Sequence, residues 1–370
     1  MARFHFALVG LVLLIAQPLL AKTYYVGSCK TGAYPTIGAA VAGVPAGSTI
    51  DVCPGTYPEQ VVISQPLTLQ GFASGGSAQA VITMPSSGTT TTSLKFGTVA
   101  AQVEVTSGPV NITGITVDGR SSTCPGVQPV GIFYASGSSG TLNEVETQFQ
   151  YCEIPGIGIL AENGSGVATT VTIENSNTNL SGYAGIYVCS PAPSTLNANI
   201  KNNYLIENLG YGIATDCNTT ATVSDNVVWA NGANEGIILM APSSKVTGNT
   251  VTGAQTGIFP VASGAIVSGN TITGFGAGIW LDGAATVTSN HISNGTFGIV
   301  IAVPGSTIQT NFMSQVEIGI NFQCVTATVS GNTIAGSGEN SPGTGFAQFP
   351  GTSTGTNKFY NVATLTTGCS

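Results

Sequence analysis

The sequence predicts an all-β protein wound as a right-handed, single-stranded parallel β-helix, a solenoid of about ten coils with a short capping helix at its N-terminal end. Three observations point there: a phrase that returns every 20 to 23 residues, a composition rich in small and β-branched residues, and an alternation of apolar and polar positions inside each repeat.

The phrase is Val-x-x-Asn, followed about nine residues later by Gly-Ile. Its asparagines are Asn203, Asn226, Asn249, Asn270, Asn290, Asn311 and Asn332, and the glycines that follow are Gly212, Gly236, Gly257, Gly278, Gly298 and Gly319. The last unit decays between Gly336 and Gly345. Weaker copies run upstream, with Ser176 before Gly185-Ile186, Gln148 before Gly156-Ile157 and Ile115 before Gly131-Ile132. The period is too short for a leucine-rich or helical repeat, which would also need Leu periodicity or helical stripes.

Each coil then carries three short strands. On the first, Gly278-Ile279-Trp280-Leu281-Asp282 turns Ile279 and Leu281 inward and leaves Trp280 and Asp282 outside, while Val287 falls on the second strand and Ile292 on the third. The recurrent Asn sits at the corner between the second and third strands. Stacked amides there hydrogen-bond from coil to coil, which makes the column structural rather than a ligand row.

Composition narrows the function. Only 6% of residues are charged, Gly contributes 50 positions, and the 42% hydrophobic fraction suffices for a buried core rather than disorder. The net charge of −8 and the lack of clustered Lys and Arg exclude a nucleic-acid footprint and disfavour polyanionic substrates. Arg3 precedes an apolar run from Phe4 to Leu20 that ends at Ala21, which predicts a signal peptide over 1–21. Gly10, Gln17 and Pro18 interrupt that run and no later segment resembles a span, so no membrane span is expected after its removal. The address is secreted or periplasmic. The expected organisation is an N-terminal cap and first coil over 22–71, repeats over 72–340, and a C-terminal cap or tail over 341–370.

The eight cysteines read as four disulfides of an exported chain, since no CxxC pair occurs and His291 has no zinc partner at short spacing. Neighbouring coils lie roughly 4.8 Å apart, within the reach of a disulfide. Cys189 with Cys217 and Cys124 with Cys152 each fall one coil apart at equivalent places. Cys29 with Cys53 and Cys324 with Cys369 follow by elimination as staples of the two ends.

Val267-Ser268-Gly269-Asn270-Thr271-Ile272 with Gly278-Ile279 resembles the parallel β-helix repeat of pectin-lyase-like proteins. The N-terminal stretch extends the resemblance through Tyr34-Pro35-Thr36-Ile37, Ala40-Val41, Gly47-Ser48-Thr49-Ile50, Pro54-Gly55-Thr56-Tyr57, Glu59 and Leu67-Thr68-Leu69-Gln70-Gly71. This opening module is similar to that of pectin methylesterases and of the periplasmic β-helix proteins associated with nitrous oxide reductase maturation. It implies a fold, not a reaction. Physically, Ile37, Ala40, Val41 and Val44 form a short apolar helical face after Thr36 that plugs the first open coil.

Enzymes that this fold resembles carry their catalytic groups on the outer face of the first strand. The outward positions there are Phe133, Tyr187, Ala214, Ile238, Phe259, Trp280, Val300 and Asn321, then Cys189, Asp216, Met240, Val261, Asp282, Ala302 and Gln323. Asp216 and Asp282 stand three coils apart, roughly 14 Å, against the 5 to 9.5 Å that glycoside hydrolysis requires. Glu235 is the turn residue that could complete a site with either. The calcium cluster and cationic base of pectate lyases, the paired aspartates with His-Gly of polygalacturonases, and the aspartates with arginine of pectin methylesterases are missing. Arg120, Lys201 and Lys245 are scattered, and Lys201 repeats the position of Glu174 as a surface ion pair. Copper finds only His291 and four Met as candidates, so no metal and no cofactor are expected. The sequons at Asn111, Asn163, Asn179, Asn218 and Asn294 carry little weight in so Asn- and Thr-rich a chain.

What remains is the aromatic row Tyr187, Phe259 and Trp280, suited to stacking on sugar rings. The sequence therefore predicts a monomeric, non-enzymatic extracellular or surface scaffold able to bind a polysaccharide or cell-surface glycan. The alternative is a polysaccharide-active enzyme, a lyase or glycoside hydrolase, with a non-standard site drawn from Asp216, Glu235 and Asp282.

Overall fold

The computed structural model describes residues 22–72, 79–85, 88, 90–120, 126–230, 234–336, 343–350 and 355–369. The expected signal segment 1–21 and Cys124 lie outside them.

The chain winds through three walls. The second wall is one sheet of thirteen strands, from Thr23–Val26 to Ala327–Ser330, paired in parallel from coil to coil. Thirteen exceeds the ten coils expected because Thr23–Val26, Thr49–Val52 and Leu67–Gly71, within the stretch read as a cap and first coil, stack in the same wall. The first and third walls merge into a single 24-stranded sheet. From Thr271 onward the third strand runs into the first without a break, as in Thr271–Leu281, His291–Ile301 and Phe312–Asn321. In those coils no turn separates the two strands. Gly343–Phe349, Lys358–Tyr360 and Val362–Gly368 continue the stack to the C-terminal end.

One apolar column fills the interior, with Ile213, Ile237, Ile258, Ile279, Ile299 and Ile320 from the Gly-Ile pairs all buried. The glycine before each has a packing reason. A Cβ on Gly257 would lie 2.6 Å from the carbonyl oxygen of Gly278 in the next coil, and one on Gly236 would lie 2.7 Å from that of Gly257. Only hydrogen fits where successive coils approach this closely.

The asparagine column forms the expected ladder. Asn226 Oδ1 accepts from both the backbone N–H and Nδ2 of Asn203 at 2.9 Å, and the same pair of bonds repeats through Asn249, Asn270, Asn290, Asn311 and Asn332 to Asn357. Each Nδ2 also donates to a carbonyl of the preceding coil, as Asn249 does to Val223 at 2.9 Å. The residue before each ladder position from Asn203 to Asn332 takes a left-handed turn, which explains the recurring Gly-Asn of Gly248-Asn249 and Gly269-Asn270. Upstream, Ser176 Oγ takes over and accepts from the Val145 N–H at 3.2 Å. Val145, not Gln148, therefore holds the ladder position in that coil; Gln148 lies three residues on, beside Asn179.

The N-terminal plug is the helix Ile37–Gly43, which buries Ile37, Ala40 and Val41. Thr36 Oγ1 accepts from Ala39 N–H at 3.1 Å, and the Glu59 carboxylate accepts from Ile37 and Gly38 N–H, each at 2.8 Å. The spacing of Thr36 and Glu59 in the opening module is thus a helix cap supplied from the next coil. Cys29–Cys53, Cys189–Cys217 and Cys324–Cys369 are disulfides with Cα separations of 5.7, 5.1 and 5.6 Å, as expected. No described cysteine is free. Among the described residues no helix is long and apolar enough to cross a membrane.

Candidate functional site

The outer face of the first wall gathers aromatic rings, carboxylates and a lysine. Strand register aligns Phe133, Leu160, Tyr187, Ala214, Ile238 and Phe259 in successive coils, and Ile258 opposite Ile279 sets Phe259 beside Trp280. The structure divides the aromatic row. Tyr187 is 1% exposed, whereas Phe259 and Trp280 are half-buried with their outer edges open.

Tyr187 is covered by a hairpin that sequence reading missed. Thr91–Ser93 pairs antiparallel with the start of Gly97–Val105, and Phe96 lies edge-on to Tyr183 and Tyr187 with centroids 5.4 and 4.9 Å away. The signal was present in Thr91-Thr92-Ser93-Leu94-Lys95-Phe96-Gly97-Thr98-Val99, two β-prone runs around a left-handed Gly97. Lys95, outside the set of Arg120, Lys201 and Lys245, sits at the tip of this hairpin.

Two carboxylates tie the hairpin down. Glu162 accepts from Ser93 Oγ at 2.7 Å, Leu94 N–H at 2.7 Å and Lys95 N–H at 3.1 Å. Asp216 meets Lys95 Nζ at 2.6 Å, Tyr187 Oη at 2.5 Å and its neighbour Cys217 N–H at 2.6 Å. Burial pushes Glu162 above the usual carboxylate range, and its hydrogen bonds offset only part of this. Burial acts on Asp216 in the same sense, but the Lys95 and Tyr187 bonds, the Cys217 N–H and the lysine charge outweigh it and hold Asp216 below its ordinary value. Burial first, then the Asp216 bond and charge, push Tyr187 far above the phenol range, so it keeps its proton.

The two carboxylates give opposite pH dependences. The stability from Asp216 is present above its unfolded pKa and lost as pH falls through its depressed folded value. That from Glu162 is present below its unfolded pKa and lost as pH rises through its raised folded value. Thermal unfolding followed from pH 3 to pH 8 is expected to show Lys95→Met losing most, relative to the native chain, on the neutral side. Glu162→Gln should gain progressively as pH rises.

The three candidate catalytic carboxylates are not brought together. Asp216 aligns beside Met240, with Asp282 two coils further on, which keeps Asp216 and Asp282 about 14 Å apart. Glu235 aligns with Tyr211, five residues back along the strand from the level of Asp216 and on the order of 16 Å away. Burial raises its pKa, but Asp216 lies beyond hydrolytic distance from it. Asp282 is exposed and accepts from Trp280 Nε1 at 2.8 Å, which fixes the indole plane. Beside that ring runs a groove lined by Gln255, Thr256, Gly276, Ala277, Thr296 and Phe297. Amide and hydroxyl groups next to two aromatic rings suit the hydroxyls and the apolar face of a sugar. Lys201 pairs with Glu174 at 2.8 Å, as the repeat position implied, and Arg120 pairs with Asp118 while lying over the Phe149 ring at 4.6 Å.

The family model of NosD, described as a periplasmic copper-binding protein, matches residues 134–303, a little under half of the chain. Among solved structures, the GH136 lacto-N-biosidase of Eubacterium ramulus superposes with a TM-score of 0.63 at 11% identity, covering 92% of this chain and 68% of that one. The periplasmic alginate epimerase AlgG gives 0.53 at 14% identity, covering 90% and 84%. The A-module of the Azotobacter vinelandii mannuronan C-5 epimerase AlgE4 gives 0.50 at 16%, covering 89% and 90%. The chain is a right-handed parallel β-helix protein. At these identities the likeness to solved structures is one of fold, and no curated protein sequence matches significantly. Among the described residues, the cluster of potential ligands does not fit a copper site. The one described cluster of potential ligands is Cys189, Asp216 and Cys217, whose sulfurs are bonded to each other and whose carboxylate holds Lys95. His291 instead stacks edge-on with Phe312 at 4.9 Å.

Proposed function

We propose that this β-helix is an extracytoplasmic carbohydrate-binding scaffold that holds a neutral glycan across Phe259, Trp280 and the adjoining groove without turning it over. The observation that carries the reading is Trp280: a partly open indole, fixed by Asp282, at the edge of a groove lined by Gln255, Thr256 and Thr296. Its disulfides favour an oxidising compartment, in keeping with the periplasmic family matched by its central repeats. Similar folds named for lacto-N-biosidase and alginate epimerase activity support a carbohydrate reading of such a face. The few cations, with Lys95 already committed to Asp216, favour neutral over acidic chains.

The specific observation for the enzymatic alternative is Asp216 with Lys95 in hydrogen-bonding reach, an acid and a cation on one face. Against it, Tyr187 keeps its proton, Asp216 stays ionised and both are shielded by the hairpin. A glycan array and a polysaccharide-degradation screen separate the readings. Binding to neutral glycans without product release, weakened at least tenfold, about 1.4 kcal/mol, in Trp280→Ala, is the expected result. Product release that disappears in Asp216→Asn would select the enzyme.

A further inference from the structure

We propose that residues 93–96 form a lid over a second carbohydrate-binding segment, made of Tyr183, Tyr187, Tyr211 and the Asp216 carboxylate and continuous with the Phe259 and Trp280 strip. This rests on the reading of that strip as a glycan surface. Three tyrosines from two adjacent coils touch one another, Tyr183 to Tyr211 at 5.5 Å and Tyr183 to Tyr187 at 6.0 Å. Phe96 lies against Tyr183 and Tyr187, where the apolar face of a sugar ring would stack.

The polar contacts of the tip are of the kind sugar hydroxyls can replace one for one. Lys95 and Ser93 donate to Asp216 and Glu162, and the backbone N–H groups of Leu94 and Lys95 donate to Glu162. Outside those contacts the second strand is anchored in the sheet beside Gln128–Tyr134, but the first is held less: three residue pairs to Gly97–Val105 and the Thr91 hydroxyl, which donates to Glu104 at 2.7 Å, and among the described residues it pairs with no other strand. Leu94 and Lys95 are exposed, so the outer side of the tip already faces solvent. With the tip lifted, the in-register column Tyr187, Ala214, Ile238, Phe259 and Trp280 offers one surface across four coil spacings, about 19 Å.

The test compares the native chain with the double variant Lys95→Ala, Phe96→Ala, and with Lys95→Ala alone as the milder change. Cellohexaose and xylohexaose serve as long probes and cellobiose and xylobiose as short ones. Amide exchange at Leu94 and Lys95 is expected to rise at least tenfold in the double variant, and the hexasaccharide-to-disaccharide affinity ratio about fivefold. Adding Tyr183→Ala should remove that gain. The lid is overturned if exchange stays native in both variants. The concealed segment is overturned if exchange rises while the ratio does not, or if the opened variant binds no hexasaccharide. Disaccharide binding, tested with Trp280→Ala, reports on the strip separately: its insensitivity to that change would sink the strip and leave the exchange result to judge the lid.

Discussion

Asn249→Leu is expected to destabilise the protein by on the order of 3 to 5 kcal/mol. The substitution keeps the volume but removes the Oδ1 that accepts from both the backbone N–H and Nδ2 of Asn226. Both donors are buried, and each costs about 1 to 3 kcal/mol when left without an acceptor. The Val223 carbonyl also loses its amide donor. Because each coil contacts only its neighbours, the damage is local and uncouples the coils on either side. Denaturant titration should give a lower midpoint, and amide exchange should accelerate first around Asn226 and Asn249. Asn249→Asp tests the mechanism: its carboxyl still accepts from Asn226, and once protonated its O–H can donate to the Val223 carbonyl, so its loss should be smaller than that of Asn249→Leu and smallest at low pH.

Gly257→Val is expected to cost about 3 kcal/mol by crowding rather than by a lost bond. Its first new carbon would stand 2.6 Å from the Gly278 carbonyl oxygen, a backbone atom that cannot turn aside, so the coils must part locally. The same substitution at Gly126, which has open space around its Cβ position but a positive φ, should cost less, since only backbone strain opposes it. Thermal unfolding of the two variants side by side checks the distinction.

The fold was legible because a solenoid repeats its physics in every coil. The positions of Asn226, Gly236 and Ile237 are dictated by contacts that recur in each coil, so each leaves a mark at a fixed period. The inward turn of Ile279 and Leu281 and the helix after Thr36 were readable for the same kind of reason, local patterning that agrees with the packing. Register slipped where the pattern changes chemistry. Val145 occupies the ladder position in a coil with neither Asn nor Ser at the corner, and the nearest amide side chain in sequence, Gln148, lies three residues on.

The site was less legible because it depends on an element outside the repeat. Lys95 meets Asp216 across 121 positions of sequence and Ser93 meets Glu162 across 69. No periodicity connects such pairs. Tyr187 looked like an open ring because its coil position is outward, and only the arrival of Phe96 buries it. Trp280 and Asp282 were legible because both lie in one strand, two residues apart, and nothing from elsewhere intervenes.

The chain has two tryptophans, Trp229 and Trp280, so Trp229→Phe leaves an indole at the proposed site alone. The most direct measurement is a fluorescence titration of that variant with neutral oligosaccharides, alongside an assay for released reducing ends. Carbohydrate binding on this face predicts a saturable change in Trp280 emission with no product. An unchanged emission at glycan concentrations where binding is detected by other means, or release of reducing ends, would contradict it.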